Sequence, residues 1–129
     1  MVKMDGEFSG WRPMLAGVPQ GSLLSPLLYN LYTSDFPKSI GSDLALHADD
    51  ICIYDHAKTP KYAYLSVQCH LKDIGRWASC SRIKINAEKC SAIVFSRIRR
   101  VNMPRLMLDN VYIDFMQEFR YLEFSCIAD

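Results

Sequence analysis

The stretch that decides the fold of this chain is LALHADDICIY, residues 44–54. Apolar residues flank the small acidic group Ala48-Asp49-Asp50 on both sides, and this pattern predicts a buried β-hairpin with the aspartates at its turn. Two carboxylates in an apolar hairpin are costly, because burying an anion without a partner costs several kcal/mol. A hard divalent cation such as Mg²⁺ would offset that cost, whereas an Asp-Asp pair alone is most often a solvent-exposed turn without a metal.

A second informative segment lies upstream, where GVPQGS at residues 17–22 places two glycines and a proline close together. Ser25-Pro26 then opens an apolar stretch. Proline is tolerated in the first turn of a helix, and a serine just before it can cap the helix. The segment therefore predicts a tight loop followed by a helix that runs to about Asp35 and stops before Pro37.

The rest of the chain predicts one long helix and several strands. Apolar side chains recur at steps of three and four between Pro60 and Ser81, which is typical of an amphipathic helix that covers a sheet. This order of elements favours an α+β sheet covered on one face by helices. Strands are predicted at residues 83–86, 92–95, 106–108, 111–113 and 119–124, with a short pair around Asp5-Gly6.

Composition bounds the class of protein. The chain has 129 residues, 50% of them hydrophobic and 22% charged, so it can bury a modest core. Its 15 basic and 14 acidic side chains give a net charge of +1, which supports nucleic-acid binding only weakly. No apolar run is long enough to span a membrane and no signal-peptide core is present. We therefore expect an intracellular protein of the nucleus or cytoplasm, without a membrane partner.

The cysteines raise the alternative of a zinc-binding module. Five cysteines, an odd number, do not form the disulfide framework of a small secreted protein, so reduced thiols are expected. Structural zinc sites usually pair their ligands at short spacings such as Cys-x₂-Cys, and this sequence has none, which disfavours zinc. The candidate ligands would be Cys52, His56, Cys69, His70, Cys80 and Cys90.

Two longer phrases flank the acidic turn, AGVPQGSLLSPLLYN at residues 16–30 and IKINAEKC at residues 83–90. They resemble motifs B and D of reverse transcriptases from jockey-type non-LTR retrotransposons, and Ala48-Asp49-Asp50 resembles motif C. The run FRYL at residues 119–122 is similar to the start of motif E. The resemblance covers nearly the whole chain, so we interpret residues 1–129 as a partial reverse transcriptase domain that contains palm motifs B to E.

The resemblance implies both a fold and a set of site residues. The fold would be α+β, an antiparallel palm-type sheet with helices packed on one face, incomplete because fingers and thumb are absent. Asp49 would be a ligand of the catalytic metals, Mg²⁺ or Mn²⁺, with Asp50 as its companion carboxylate. Gln20 and Gly21 would lie beside the incoming nucleotide and template, where a residue without a Cβ allows close approach. Lys89 would sit near the triphosphate and offset negative charge, although an ordinary surface lysine is the alternative.

The implied reaction is two-metal nucleotidyl transfer to a primer 3′-OH, with an RNA template, a DNA primer and a dNTP as partners of the intact enzyme. The motif A aspartate of the family precedes motif B, and this chain begins after it. We therefore expect the chain alone to be inactive without a fingers and motif A segment. His47 replaces a usual Tyr or Phe, and Glu123 replaces a motif E glycine. These departures leave open a catalytically dead palm remnant with at most a nucleic-acid or protein binding role.

Overall fold

The computed structural model of this chain describes residues 3–10, 13, 17–18, 21–96, 101–121 and 124–127. The chain divides into two compact units, Met1–Asp35 and Phe36–Asp129. The first holds a short hairpin and one helix, and the second holds the acidic hairpin, the long helix and the remaining strands.

The first unit opens with the predicted hairpin. Strands β1 (Lys3–Met4) and β2 (Glu7–Phe8) pair antiparallel. Asp5 and Gly6 between them have φ angles of 50° and 88°. A two-residue turn of this kind needs positive φ at both central positions, for which Asp-Gly is a favoured pair. The local sequence therefore specifies this hairpin.

Helix α1 (Ser25–Tyr32) follows the glycine-containing loop. Pro26 lies in its first turn as predicted, but the prediction of a serine cap was wrong. Ser25 is already helical, and the capping position is held by Leu24, which makes no side-chain capping hydrogen bond. No residue of α1 is buried, so its leucines present an apolar surface.

The second unit begins with the acidic hairpin. Strands β3 (Asp43–His47) and β4 (Asp50–Tyr54) pair antiparallel in a register that leaves two residues in the turn. The predicted hairpin is confirmed, but the prediction that it is buried was wrong. Leu46 and Ile51 remain 49% and 40% exposed. Contact with the core is made by Ile53, farther from the turn, so the tip stays in solvent.

Helix α2 (Pro60–Cys80) is the long helix that the periodicity predicts. Its buried side includes the expected Leu71, Ile74 and Ala78. Trp77 packs edge-to-face on Phe36, with ring centroids 4.8 Å apart. No helix among the described residues is long and apolar enough to cross a membrane.

Beneath α2 lies a three-stranded sheet in the order β5-β7-β6. Strands β6 (Leu106–Leu108) and β7 (Val111–Met116) form the predicted antiparallel hairpin around Asp109-Asn110. Strand β5 (Ser91–Ile93) pairs parallel to β7, so this sheet is mixed.

The last predicted strand proved to be two strands. β8 (Glu118–Tyr121) and β9 (Phe124–Ile127) pair antiparallel. Leu122 ends the run that resembles motif E, and Glu123 is the residue that replaces the motif E glycine. Both lie outside the described residues. The α+β class is confirmed, with several small sheets in the described part of the chain.

The strand predicted at residues 83–86 was wrong, and a single turn of 3₁₀ helix (Ala87–Lys89) follows instead. The N–H of Ile83 donates to the Ala78 carbonyl at the end of α2. The Asn86 side chain accepts a hydrogen bond from the Glu88 N–H. The first bond ties the segment to the end of α2 and the second closes the 3₁₀ turn, so local hydrogen bonds take the place of pairing with a neighbouring strand.

The core forms where α2 packs on one face of the three-stranded sheet. Its buried members come from α2, the 3₁₀ turn and strands β6 and β7, and they are Leu71, Ala87, Leu106, Leu108 and Ile113. Such burial is the main favourable term in folding. The 3₁₀ turn and the sheet are therefore held by the same helix.

A polar contact joins α2 to the edge of that sheet. The Gln68 side-chain N–H donates to the Met107 carbonyl at 2.8 Å, and the Met107 N–H donates to the Gln68 side-chain oxygen at 2.8 Å. Met107 lies on β6, an outer strand of the sheet. An amide side chain thus satisfies the backbone groups that an edge strand leaves unpaired.

We predict that Gln68→Ala lowers the free energy of unfolding by about 1–3 kcal/mol, because it removes two hydrogen bonds and leaves a part-buried N–H and C=O unpaired. Urea denaturation measures the change. Ser79→Ala, on the exposed side of the same helix, is the control and should leave stability within about 0.5 kcal/mol. Equal effects of the two substitutions would contradict the bridging role of Gln68.

We also predict that Ala48→Gly stabilises the fold by up to about 1 kcal/mol. Ala48 has a φ of 51°, a left-handed conformation that penalises a residue with a Cβ and that glycine adopts freely. Ala45→Gly, within β3, is the matched control and should destabilise, because a strand position gains nothing from the added freedom. Thermal unfolding of both variants measures the direction of each stability change. Destabilisation by Ala48→Gly would contradict the prediction that the backbone at Ala48 is strained.

Candidate functional site

The two aspartates predicted as metal ligands lie at the tip of the β3–β4 hairpin. Asp49 is the second turn residue and Asp50 is the first residue of β4. Both are exposed, which corrects the expectation of carboxylates buried in an apolar hairpin. The tip projects beyond the part of the hairpin that contacts the core. Both carboxylates therefore remain hydrated, and the expected free-energy cost of burying them does not arise.

Neither aspartate side chain forms an ion pair or a hydrogen bond with another residue that the structure describes. Two neighbouring anions without a counter-charge repel each other, and a divalent cation relieves this repulsion. Their oxygen atoms are the ligand type that Mg²⁺ and Mn²⁺ prefer. The residues present therefore fit a hard divalent cation.

Asp49 and Asp50 do not make a complete metal site by themselves. Among the described residues, no group of three or more His, Cys, Asp or Glu side chains is placed to hold a metal ion. Mg²⁺ is commonly held by one or two carboxylates, with waters and substrate phosphates at the other positions. The hairpin tip provides the two carboxylates that a protein supplies to such a site.

His47 stands directly opposite Asp50 in the hairpin register. Its imidazole is exposed at the end of β3. The sequence departure at this position therefore places a polar ring beside the acidic turn, on the strand that leads into it.

Lys89, the third predicted catalytic residue, ends the 3₁₀ turn and is exposed. The backbone N–H of Lys89 donates to the Asn86 carbonyl at 3.1 Å, and the Asn86 side-chain oxygen accepts from the Glu88 N–H. Asn86 therefore stabilises this turn through both its backbone and its side chain. Lys89 forms no ion pair with Asp49 or Asp50 among the contacts of the described residues. The structure therefore does not bring the three side chains into direct contact.

The structural role of Asn86 was missed in the sequence analysis. Asparagine is a favoured capping residue, because its side-chain oxygen accepts from an N–H two or three positions later. An Asn directly before Ala-Glu-Lys was the signal that could have revealed the turn.

The predicted nucleotide-binding pair is only partly described. Gly21 has a φ of 82°, and among the described residues no atom beyond Gly21 and its chain neighbours lies within 4 Å of the position that a Cβ would take. Open space at this point allows the close approach expected of the residue. Gln20 lies outside the described residues. Gly21 belongs to the first compact unit, whereas the hairpin and Lys89 belong to the second.

The structure gives the zinc alternative no support. His70 is fully buried, with Nδ1 2.8 Å from the Ser42 hydroxyl and Nε2 2.9 Å from the Pro37 carbonyl oxygen. A carbonyl only accepts, so Nε2 donates and both ring nitrogens are occupied. Burial raises the pKa of the Cys90 thiol, which disfavours the thiolate that a metal needs. These residues stabilise the fold.

Comparison with known proteins points to one family. The family model described as reverse transcriptase (RNA-dependent DNA polymerase) matches residues 1–126. The RNA-directed DNA polymerase from mobile element jockey of Drosophila melanogaster is 33% identical over 129 residues, which cover 94% of this chain and 14% of the relative. The RNA-directed DNA polymerase from mobile element jockey of Drosophila funebris is 30% identical over 129 residues, which also cover 94% of this chain and 14% of the relative.

A further relative is the probable RNA-directed DNA polymerase from transposon X-element of Drosophila melanogaster. It is 34% identical over 108 residues, which cover 80% of this chain and 12% of the relative. No solved structure matches the chain. The chain spans about one seventh of the length of the jockey relatives, as their 14% coverage shows. On this evidence the chain belongs to the reverse transcriptase (RNA-dependent DNA polymerase) family, as a jockey-like sequence of the non-LTR retrotransposon kind.

Proposed function

We propose that this chain is the part of an RNA-directed DNA polymerase that carries the metal-binding carboxylates of motif C, Asp49 and Asp50. The observation that carries the proposal is the placement of both carboxylates, exposed and without a counter-charge among the described residues, at the tip of the β3–β4 hairpin. Family membership supports it, because the residues 16–30 and 83–90 that resemble the flanking motifs lie within the matched range.

In this proposal Asp49 is the direct metal ligand and Asp50 is its companion. When bound, Mg²⁺ or Mn²⁺ would stabilise the negative charge that develops on the oxygens of the attacking primer 3′-OH and the leaving pyrophosphate. The hairpin contributes positioning, since its register pairs Asp50 with His47 of β3 and leaves Asp49 in the two-residue turn between the strands. A two-residue turn closed by paired strands holds its ligands more firmly than a long unpaired loop.

The other predicted residues take supporting roles. The ammonium group of Lys89 would contact the triphosphate of the incoming dNTP and offset its negative charge. Gln20 and Gly21 would lie beside the nucleotide and the template. The described residues leave the Cβ position of Gly21 open, which supports close approach of a ligand to the backbone there. RNA template and DNA primer are the proposed macromolecular partners, inside the nucleus or cytoplasm.

The carboxylate set is shared between this chain and another segment of the polymerase in our proposal. Two aspartates supply part of the ligands that a two-metal site needs, and the described residues add no third group. We therefore expect nucleotidyl transfer only when the motif A aspartate is supplied. A palm remnant that no longer binds metal is the competing hypothesis.

Metal binding distinguishes the two hypotheses. We predict that Mg²⁺ titration shifts the backbone NMR signals of Asp49 and Asp50, and that Mn²⁺ broadens the same signals. Asp49→Asn should abolish both effects, because it removes the charge and one strong oxygen ligand. Two-dimensional ¹H–¹⁵N spectra of the full chain provide the measurement.

Asp43→Asn is the matched control, since Asp43 is exposed on the same hairpin and the substitution changes the charge equally. It should leave the metal response of Asp49 and Asp50 intact. The same response in the wild type and in Asp49→Asn would remove the proposed metal site and favour the remnant.

A further inference from the structure

We propose that the solvent side of α2 is a second surface of this polymerase, one that holds the phosphate backbone of a nucleic acid. We call this surface the basic face and define it by Lys61, Lys72 and Arg76. It carries none of the residues assigned to the reaction above. Only the choice of nucleic acid as its partner rests on the proposed function.

The charge of the chain is distributed unevenly. Residues 58–89 contain seven basic and two acidic side chains, a formal charge of +5. The whole chain carries +1, so the remaining residues carry −4. The low net charge therefore conceals a strongly basic segment, and α2 carries three of its seven basic side chains.

Helix geometry places the three cations on one side of α2. Lys72 follows Lys61 by 11 residues, close to three turns, and Arg76 follows one further turn later, at about 3.6 residues per turn. The row they form is roughly 22 Å long, at about 1.5 Å per residue. All three are exposed, whereas Leu71 and Ala78 on the other side are buried in the core.

Few acidic groups neutralise the basic face. Asp73 lies 3.3 Å from the Arg76 guanidinium, with side chains 46% and 76% exposed respectively. An exposed pair of this kind exchanges readily with solvent and contributes little. Lys61 and Lys72 form no ion pair with any residue that the structure describes. Three cations are therefore available to an anionic partner.

Other exposed cations extend the basic face at both ends. Lys58 precedes the helix, and Arg82 and Lys84 follow it, all exposed. The acidic groups nearest in sequence are Asp55 before the helix and Glu88 after it. A long row of positive charges fits a linear polyanion better than a small anion, because a small anion would contact only one or two of them.

The shape of the surface favours nucleic acid over a lipid membrane. A helix that lies on a membrane inserts its own apolar side into the lipid. The apolar side of α2 is already covered by the three-stranded sheet. Its exposed side offers only scattered apolar groups, chiefly Tyr62 and Leu65, which are 68% and 50% exposed. The helix therefore has charge for a polyanion but no free side for insertion.

The test measures binding of the full chain to a labelled duplex DNA of about two helical turns by fluorescence anisotropy, in EDTA and over a series of salt concentrations. The triple variant Lys61→Gln, Lys72→Gln and Arg76→Gln should bind at least about tenfold more weakly at low salt. The slope of log affinity against log salt concentration is negative, and its magnitude should decrease by about 2–3, as expected for three lost phosphate contacts.

A matched triple variant, Lys3→Gln, Lys38→Gln and Arg105→Gln, removes the same charge from exposed positions outside α2. It should keep the wild-type slope. The exchange of Lys61 and Lys72 for Arg and of Arg76 for Lys should also preserve binding. Equal losses in the two Gln triples would overturn the proposal, as would absence of binding by the wild-type chain.

Two features of the experiment separate this proposal from its alternatives. The assay contains EDTA and no divalent metal, so its outcome does not depend on metal binding at the hairpin tip, and failure of the metal site leaves this test unaffected. Vesicles that contain anionic lipid should bind more weakly than the duplex. Stronger binding to those vesicles, lost in the α2 triple variant, would identify the surface as a membrane contact and overturn the nucleic-acid assignment.

Discussion

The second unit depends on the packing of α2 against one face of a small mixed sheet. Strands of three to six residues cannot stay folded on their own, because a sheet this small needs an apolar face covered by another element. Leu71 supplies part of that cover over Leu106 and Leu108. Gln68 completes it at the edge, where its side chain bonds the β6 backbone in both directions.

The helix also joins the segments that carry the proposed site. Ile53 of the acidic hairpin and Ala87 of the 3₁₀ turn both contact the same core. His70 binds the segment that leads into the hairpin, through Ser42 and the Pro37 carbonyl. The carboxylates and Lys89 are therefore anchored at their bases while their charged groups remain in water. One core thus supports both segments while the proposed site stays open to solvent.

The sequence predicted what depends on neighbouring residues. Turn pairs such as Asp5-Gly6 and Asp109-Asn110 specify their hairpins, and the spacing of apolar residues specifies α2. The sequence did not predict contacts between distant segments. The parallel pairing of β5 with β7, the Gln68 bridge and the burial of His70 all join residues far apart in the chain. The exposure of Leu46 was missed for the same reason, since an apolar strand does not reveal which of its residues another element will cover.

The difference between contacts of neighbouring residues and contacts of distant segments has a kinetic consequence for the acidic turn. Its five strand pairs join residues within a span of only 12 positions, Asp43 to Tyr54. A hairpin with such local contacts forms in about 1–10 μs, well before a topology that requires distant segments to meet. We therefore expect the hairpin that carries the two carboxylates to form early in folding, whereas its persistence depends on the core. Mutations that weaken this core would shorten the time that the chain spends folded, but they would leave the relative position of the aspartates in each folded molecule unchanged.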